Sequence, residues 1–121
     1  MLNVQLSAES GALRIACQGA LEAGTIDRFV ETAARALERD EATVVADLSD
    51  LLHLDSSGVG ALSHLFRRLA QAGRRLVVEG LRGQPLALLR ATGLDRILAG
   101  ARRTRAPARP MLPARGLARG V

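Results

Sequence analysis

The hydrophobic period changes abruptly at Asp55-Ser56-Ser57-Gly58-Val59-Gly60, and no other stretch restricts the fold of this chain so tightly. Before it, Val44, Val45, Ala46 and Leu48, then Leu51, Leu52 and Leu54, make an apolar run rich in branched side chains. After it, Val59, Leu62, Leu65, Phe66 and Leu69 recur at helical spacing, which predicts a helix running to about Gln71 and stopped by Gly73. Leu76 to Glu79 reads as the next strand, so the segment is a βαβ unit and calls for a right-handed crossover.

The chemistry of the turn follows from its residue types. The first amides of a helix have no partner within it, and Asp55 or a serine can accept from them. A phosphate on a hydroxyl here would meet those N–H groups and the positive end of the helix dipole, with no metal required. Gly58 and Gly60 leave bare backbone that a second chain could approach, so Gly58→Val is expected to damage binding or the turn. An ordinary helix cap has the same composition, and read alone the fragment is more often structural.

The flanking chain supplies one compact α/β core. Leu2 to Leu6 alternates as a strand, Ser7 to Gly11 connects, and Ala12 to Gln18 gives a second strand paired antiparallel with the first. Gly19 to Thr25 breaks the pattern. Thr25 then caps a helix whose buried stripe is Ile26, Phe29, Val30, Ala33, Ala34 and Leu37, ending around Arg39 to Glu41. Thr43 to Leu48 reads as a central strand covered on both faces, interrupted by Asp47, Ser49 and Asp50. Gly83-Gln84-Pro85 opens a short helix through Leu86, Leu88 and Leu89, Gly93 ends it, and Asp95 to Leu98 begins a final turn.

Length and charge bound the organisation. With 121 residues the chain holds one domain, and with 2% aromatics its core is aliphatic. All 17 basic residues are arginine, and six of them, Arg102, Arg103, Arg105, Arg109, Arg115 and Arg119, follow Gly100, where no acid occurs. Removing those six from the 17 leaves 11 against 12 acidic residues, so residues 1–100 are near neutral. The expected division is a domain over 1–100 and a basic Pro/Arg-rich tail over 101–121, in which Pro107, Pro110 and Pro113 oppose a terminal helix. Such a tail could touch nucleic acid by electrostatics, but it has no aromatic for stacking, and it reads as a flexible solvated extension with no direct DNA binding.

Cys17 is the only cysteine and sits on an apolar strand, so it reads as core and permits no intrachain disulfide. No stretch has the apolar length of a membrane span and no secretory leader is evident; a cytoplasmic protein without membrane insertion is the expectation. His53 and His64 stand alone, without the company of ligands that a metal needs or a motif that would make Ser56 a nucleophile. No intrinsic catalysis and no cofactor are expected.

Four separated motifs occur in a fixed order: Val44 to Asp50, Leu54 to Leu62, Ala72 to Val78 and Leu88 to Leu98. In that order they resemble the STAS family, and more closely the single-domain bacterial anti-sigma factor antagonists, from about Val4 to Leu98. The resemblance implies a mixed sheet of four to five strands with helices mainly on one face. It also implies that Ser56 is a phosphoacceptor, with Asp55, Ser57, Gly58, Val59 and Gly60 as its neighbours and as partner-binding positions. Glu22 stands where the family usually has an aspartate near the phosphorylated serine, one methylene longer; loop solvation is an equal reading of it. His64 and Arg67, on the following helix, could touch a partner or be plain solvated surface.

The implied partner is an anti-sigma factor that is also a serine kinase and brings its own ATP. A PP2C-type phosphatase would restore the binding form. Two readings of other classes stand beside this one. The domain could be a non-phosphorylated structural subunit of a lipid-transport or stress-signalling complex, or a nucleic-acid binder acting through its tail. Homo-oligomers could form through an exposed sheet edge.

Overall fold

The computed structural model describes residues 1–96. Its order is β1 (Leu2–Glu9), β2 (Ala12–Leu21), α1 (Ile26–Leu37), β3 (Thr43–Leu54), α2 (Ser56–Gln71), β4 (Arg75–Glu79) and α3 (Gly83–Thr92). One four-stranded sheet runs β1-β2-β3-β4. The β1/β2 pair is antiparallel, while β2/β3 and β3/β4 are parallel. The fold is α/β, with a mixed sheet and the helices packed mainly on one face.

The aliphatic core lies between that face and the helices. Alternation along the strands sends Leu13, Ile15, Cys17, Val44, Ala46, Leu48, Leu76 and Val78 inward, where they meet Phe29, Ala33 and Ala36 of α1 and Leu62, Leu65 and Leu69 of α2. Burying a leucine or phenylalanine side chain of this kind contributes about 2 kcal/mol. Burial and the charge of Asp47 push the Cys17 thiol up to about 12, so it is a protonated core residue at neutral pH. On the opposite face Arg14 bridges Asp47 at 3.0 Å and Glu79 at 3.4 Å, tying β2, β3 and β4 together.

Several local expectations need correction. The hairpin is much tighter than Ser7 to Gly11: β1 continues to Glu9, and only Ser10 and Gly11, both at positive φ, make the turn. Gly19 does not break β2, which runs on to Leu21. Asp47, Ser49 and Asp50 do not interrupt β3 either. Ala16 pairs with Asp47 and Ala20 with His53, so β3 carries two residues more than β2 over that span and absorbs its polar residues in bulges. In α1, Val30 is 51% exposed, and the buried positions include Thr32, whose hydroxyl donates to the Arg28 carbonyl at 3.1 Å. Helix α2 starts at Ser56, with Asp55 as its N-cap, so both serines lie inside the helix. The expected turn at Asp95 to Leu98 falls partly outside the described residues, and the basic tail falls wholly outside them.

Candidate functional site

The parallel order of β2, β3 and β4 places the β2–α1 loop and the β3–α2 turn at the same end of the sheet. Strand ends meeting helix starts are where an α/β sheet usually presents its binding residues. Here the two connections are bonded to each other. The Asp55 amide donates to the Leu21 carbonyl at 3.3 Å, and the Asp55 carboxylate accepts from Gly58 N at 3.1 Å and from Ala23 N at 3.1 Å. One carboxylate therefore caps α2 and pins the neighbouring loop. The Gly58 N–H above all, then those of Ala23 and Ser57 and the nearby His53, hold the Asp55 carboxyl below the usual carboxylate range against the opposing effect of desolvation.

Ser56 and Ser57 are the first two residues of α2. Ser56 is exposed and Ser57 half-buried, and neither hydroxyl has a hydrogen-bond partner among the described residues. Gly58 faces inward. A Cβ built on it would lie 2.5 Å from Leu54 Cδ1 and 2.6 Å from the Leu21 carbonyl oxygen. Its bare backbone serves a close approach inside the domain, between α2 and the end of β2. Val59 is likewise in the core at 7% exposure. Gly60 faces open space, and a Cβ added there would have nothing within 4 Å. The outer surface of this turn is thus formed by Ser56, the edge of Ser57 and Gly60.

Glu22 reaches His53 instead of Ser56, its carboxylate lying 2.6 Å from His53 Nδ1. Both are partly exposed at the mouth of the turn. Thr25 is the N-cap of α1 by position, but its side chain makes no cap bond. Its hydroxyl instead donates to the Ala20 carbonyl at 2.8 Å and accepts from the Glu22 amide at 3.0 Å, folding the loop on itself. His64 and Arg67 are exposed farther along α2.

Sequence patterning passed over the side chains that hold the turn from α3. Gln84 pairs with the backbone of Leu54 like a neighbouring strand, accepting from its N–H and donating to its carbonyl, each at 2.8 Å. Arg82 donates to the Ser49 carbonyl at 2.9 Å. These contacts cap the part of β3 that extends beyond β4. No local signal could have announced them, because each joins residues far apart in the chain through main-chain atoms that any residue supplies.

Among the described residues no group of His, Cys, Asp or Glu side chains is arranged to hold a metal ion, and no helix is long and apolar enough to cross a membrane. What the arrangement presents is a small surface with unpaired hydroxyls at a helix N-terminus.

A mixed four-stranded sheet with such a strand–turn–helix at the C-terminal end of an interior strand defines a class of small α/β domains. The family model of the STAS domain matches residues 3–108, and the chain belongs to that family. Its fold is shared with an anti-sigma factor antagonist from Mycobacterium paratuberculosis, at 19% identity, TM-score 0.71 and coverage of 80% of this chain and 82% of that one. A putative anti-sigma factor antagonist from Thermotoga maritima aligns at 17% identity and TM-score 0.72, covering 78% and 82%. The Bacillus cell fate determinant SpoIIAA in its phosphorylated form aligns at 19% identity and TM-score 0.63, covering 93% of each chain.

Proposed function

We propose that the protein is an anti-sigma factor antagonist switched at Ser56. In its unphosphorylated form it binds an anti-sigma factor that is also a serine kinase, and so frees a sigma factor. Transfer of the γ-phosphoryl group of ATP to the Ser56 oxygen, with ADP leaving and the hydroxyl proton taken by the kinase, ends the interaction. A PP2C-type phosphatase would hydrolyse the phosphate and return the binding form. The observation that carries this reading is the exposed, unengaged Ser56 hydroxyl at the first position of α2, in a chain of the STAS family. The SpoIIAA structure in a phosphorylated form adds support from a chain of the same fold.

The electrostatics favour a switch that acts at the surface. A phosphate on Ser56 brings about two negative charges next to the Asp55 carboxylate, and a fitted interface then meets repulsion and a desolvation cost. The helix N-terminus accommodates the same charge within the free domain, so release needs no refolding.

The expected outcome is that Ser56→Ala folds and binds the kinase with wild-type affinity but gains no phosphate, whereas Ser56→Asp binds about 10-fold more weakly or worse. Titration of the anti-sigma factor with each variant, and intact mass after incubation with kinase and ATP, measure the two halves. Equal affinity in all three proteins removes the switch. Wild-type protein that stays unmodified while binding a larger assembly would favour the structural-subunit reading.

A further inference from the structure

Helices α1 and α2 both return antiparallel to the parallel strands, so they lie side by side in the same direction, and a shallow groove of about 160 Å³ runs between them. Its floor is apolar, with Phe29, Val30, Ala33 and Leu37 on one side and Ala61 and Leu65 on the other. Val30 is one of three large hydrophobic residues exposed among those described. Leaving it in water is unfavourable unless something covers it.

The two walls of this groove differ in charge. On α1 the helical period places Asp27, Glu31 and Glu38 on the solvent side of Val30 and Ala34. Arg28 and Arg35 fall on the far flank, and Arg28 lines a separate cleft beside Met1 and Leu2. On α2 the groove is bordered by His64 and Arg68, with Arg67 next to them, and that helix contains no acidic residue at all. Glu31, Glu38 and Arg68 take part in none of the ion pairs formed among the described residues. One wall is acidic, the other basic, and an apolar strip keeps them apart.

We infer that this groove is a self-association surface, whose occupant is a second copy of the same chain. A partner must set basic groups over the α1 wall, acidic groups over the α2 wall and apolar side chains over the floor. A second copy turned about a two-fold axis lying along the groove offers all three, because it stacks its α2 on the first copy's α1 and its α1 on the first copy's α2. A two-fold axis across the groove would instead set acid on acid, so charge selects one arrangement. Because the helices are parallel and the axis preserves height along the groove, Glu38 at the end of α1 faces the partner's Arg68. The apolar strip is narrow, so the pairing is weak and depends on salt.

Sedimentation equilibrium of the full, unphosphorylated chain tests this without reference to Ser56. At about 50 mM salt the average mass should climb toward that of a dimer as concentration rises into the high micromolar range, and at about 500 mM it should fall back toward the monomer. Arg68→Glu puts an acid on the basic wall opposite the partner's Glu38 and Glu38→Arg adds a base to the acidic wall, so each alone should weaken self-association about 10-fold, with circular dichroism confirming an intact fold. Mixed together, the two variants should associate with each other more tightly than either does with itself. A monomer at every concentration overturns the proposal. So does self-association that neither substitution changes, or a mixture that gains nothing over its components.

Discussion

Two glycines in the first two turns of α2 do opposite things. Gly58 is buried against the end of β2, where a Cβ would strike both a flexible leucine tip and the fixed Leu21 carbonyl. Gly60, farther around the helix, looks into open space. From the sequence they are indistinguishable members of one glycine-rich turn. The difference shows that this turn has an inner face that serves as a structural joint and an outer face open to solvent, and that the two can be altered separately.

The sharpest way to separate them is the same substitution at both sites. Gly58→Ala should destabilise the domain by about 3 kcal/mol, because the Leu21 main chain cannot yield as a side-chain tip can, and this exceeds the gain in helix propensity. Urea unfolding followed by circular dichroism measures it. A Gly58→Ala protein as stable as wild type would mean that the joint between β2 and α2 is looser than the contacts indicate.

Between the faces stands Asp55, and pH isolates its part. Its folded pKa lies below the value of about 3.9 expected in the unfolded chain, chiefly because the Gly58 N–H bonds the carboxylate. A depressed carboxyl contributes stability above the unfolded value, and loses it as pH falls through the folded one. Asp47 is also depressed, foremost by the Ser49 hydroxyl at 2.5 Å, so acid denaturation of the wild type sums at least two groups. Asp55→Asn retains an oxygen for the Gly58 amide but does not titrate. The stability difference between wild type and Asp55→Asn should therefore be largest near neutrality and shrink below about pH 4. Parallel acid profiles for the two proteins would remove Asp55 from the joint.

How far the sequence shows this division depends on the range of the interactions involved. The change of period at Asp55 to Gly60, the antiparallel hairpin, the helical stripe of Val59, Leu62, Leu65, Phe66 and Leu69, in which Phe66 alone is only half-buried, and the Gly93 stop are local patterns, and they read correctly. The continuity of β3 through Asp47, Ser49 and Asp50 does not show, because bulges and the Asp47–Ser49 hydrogen bonds accommodate polar residues that look like an interruption. Val30 and Thr32 exchange their expected environments because α1 leans its Phe29, Ala33 and Ala36 side onto the sheet, and an apolar residue just off that stripe is left at the groove. The Gln84 grip on Leu54 is invisible for a different reason: it is a tertiary contact to main-chain atoms.

The smallest expected effect sharpens the contrast most. Gly60→Ala replaces a flexible residue inside a helix by the best helix former, with no atom near enough to obstruct the methyl group, so the isolated domain should gain about 0.5 to 1 kcal/mol. If a partner covers the outer face closely, that methyl group intrudes on the contact, and affinity should fall even as stability rises. A change of opposite sign in the two measurements cannot arise from damage to the fold, which would lower both. Thermal unfolding and a binding titration of the same Gly60→Ala sample therefore distinguish a surface that is merely bare from one that is bare because another chain rests on it.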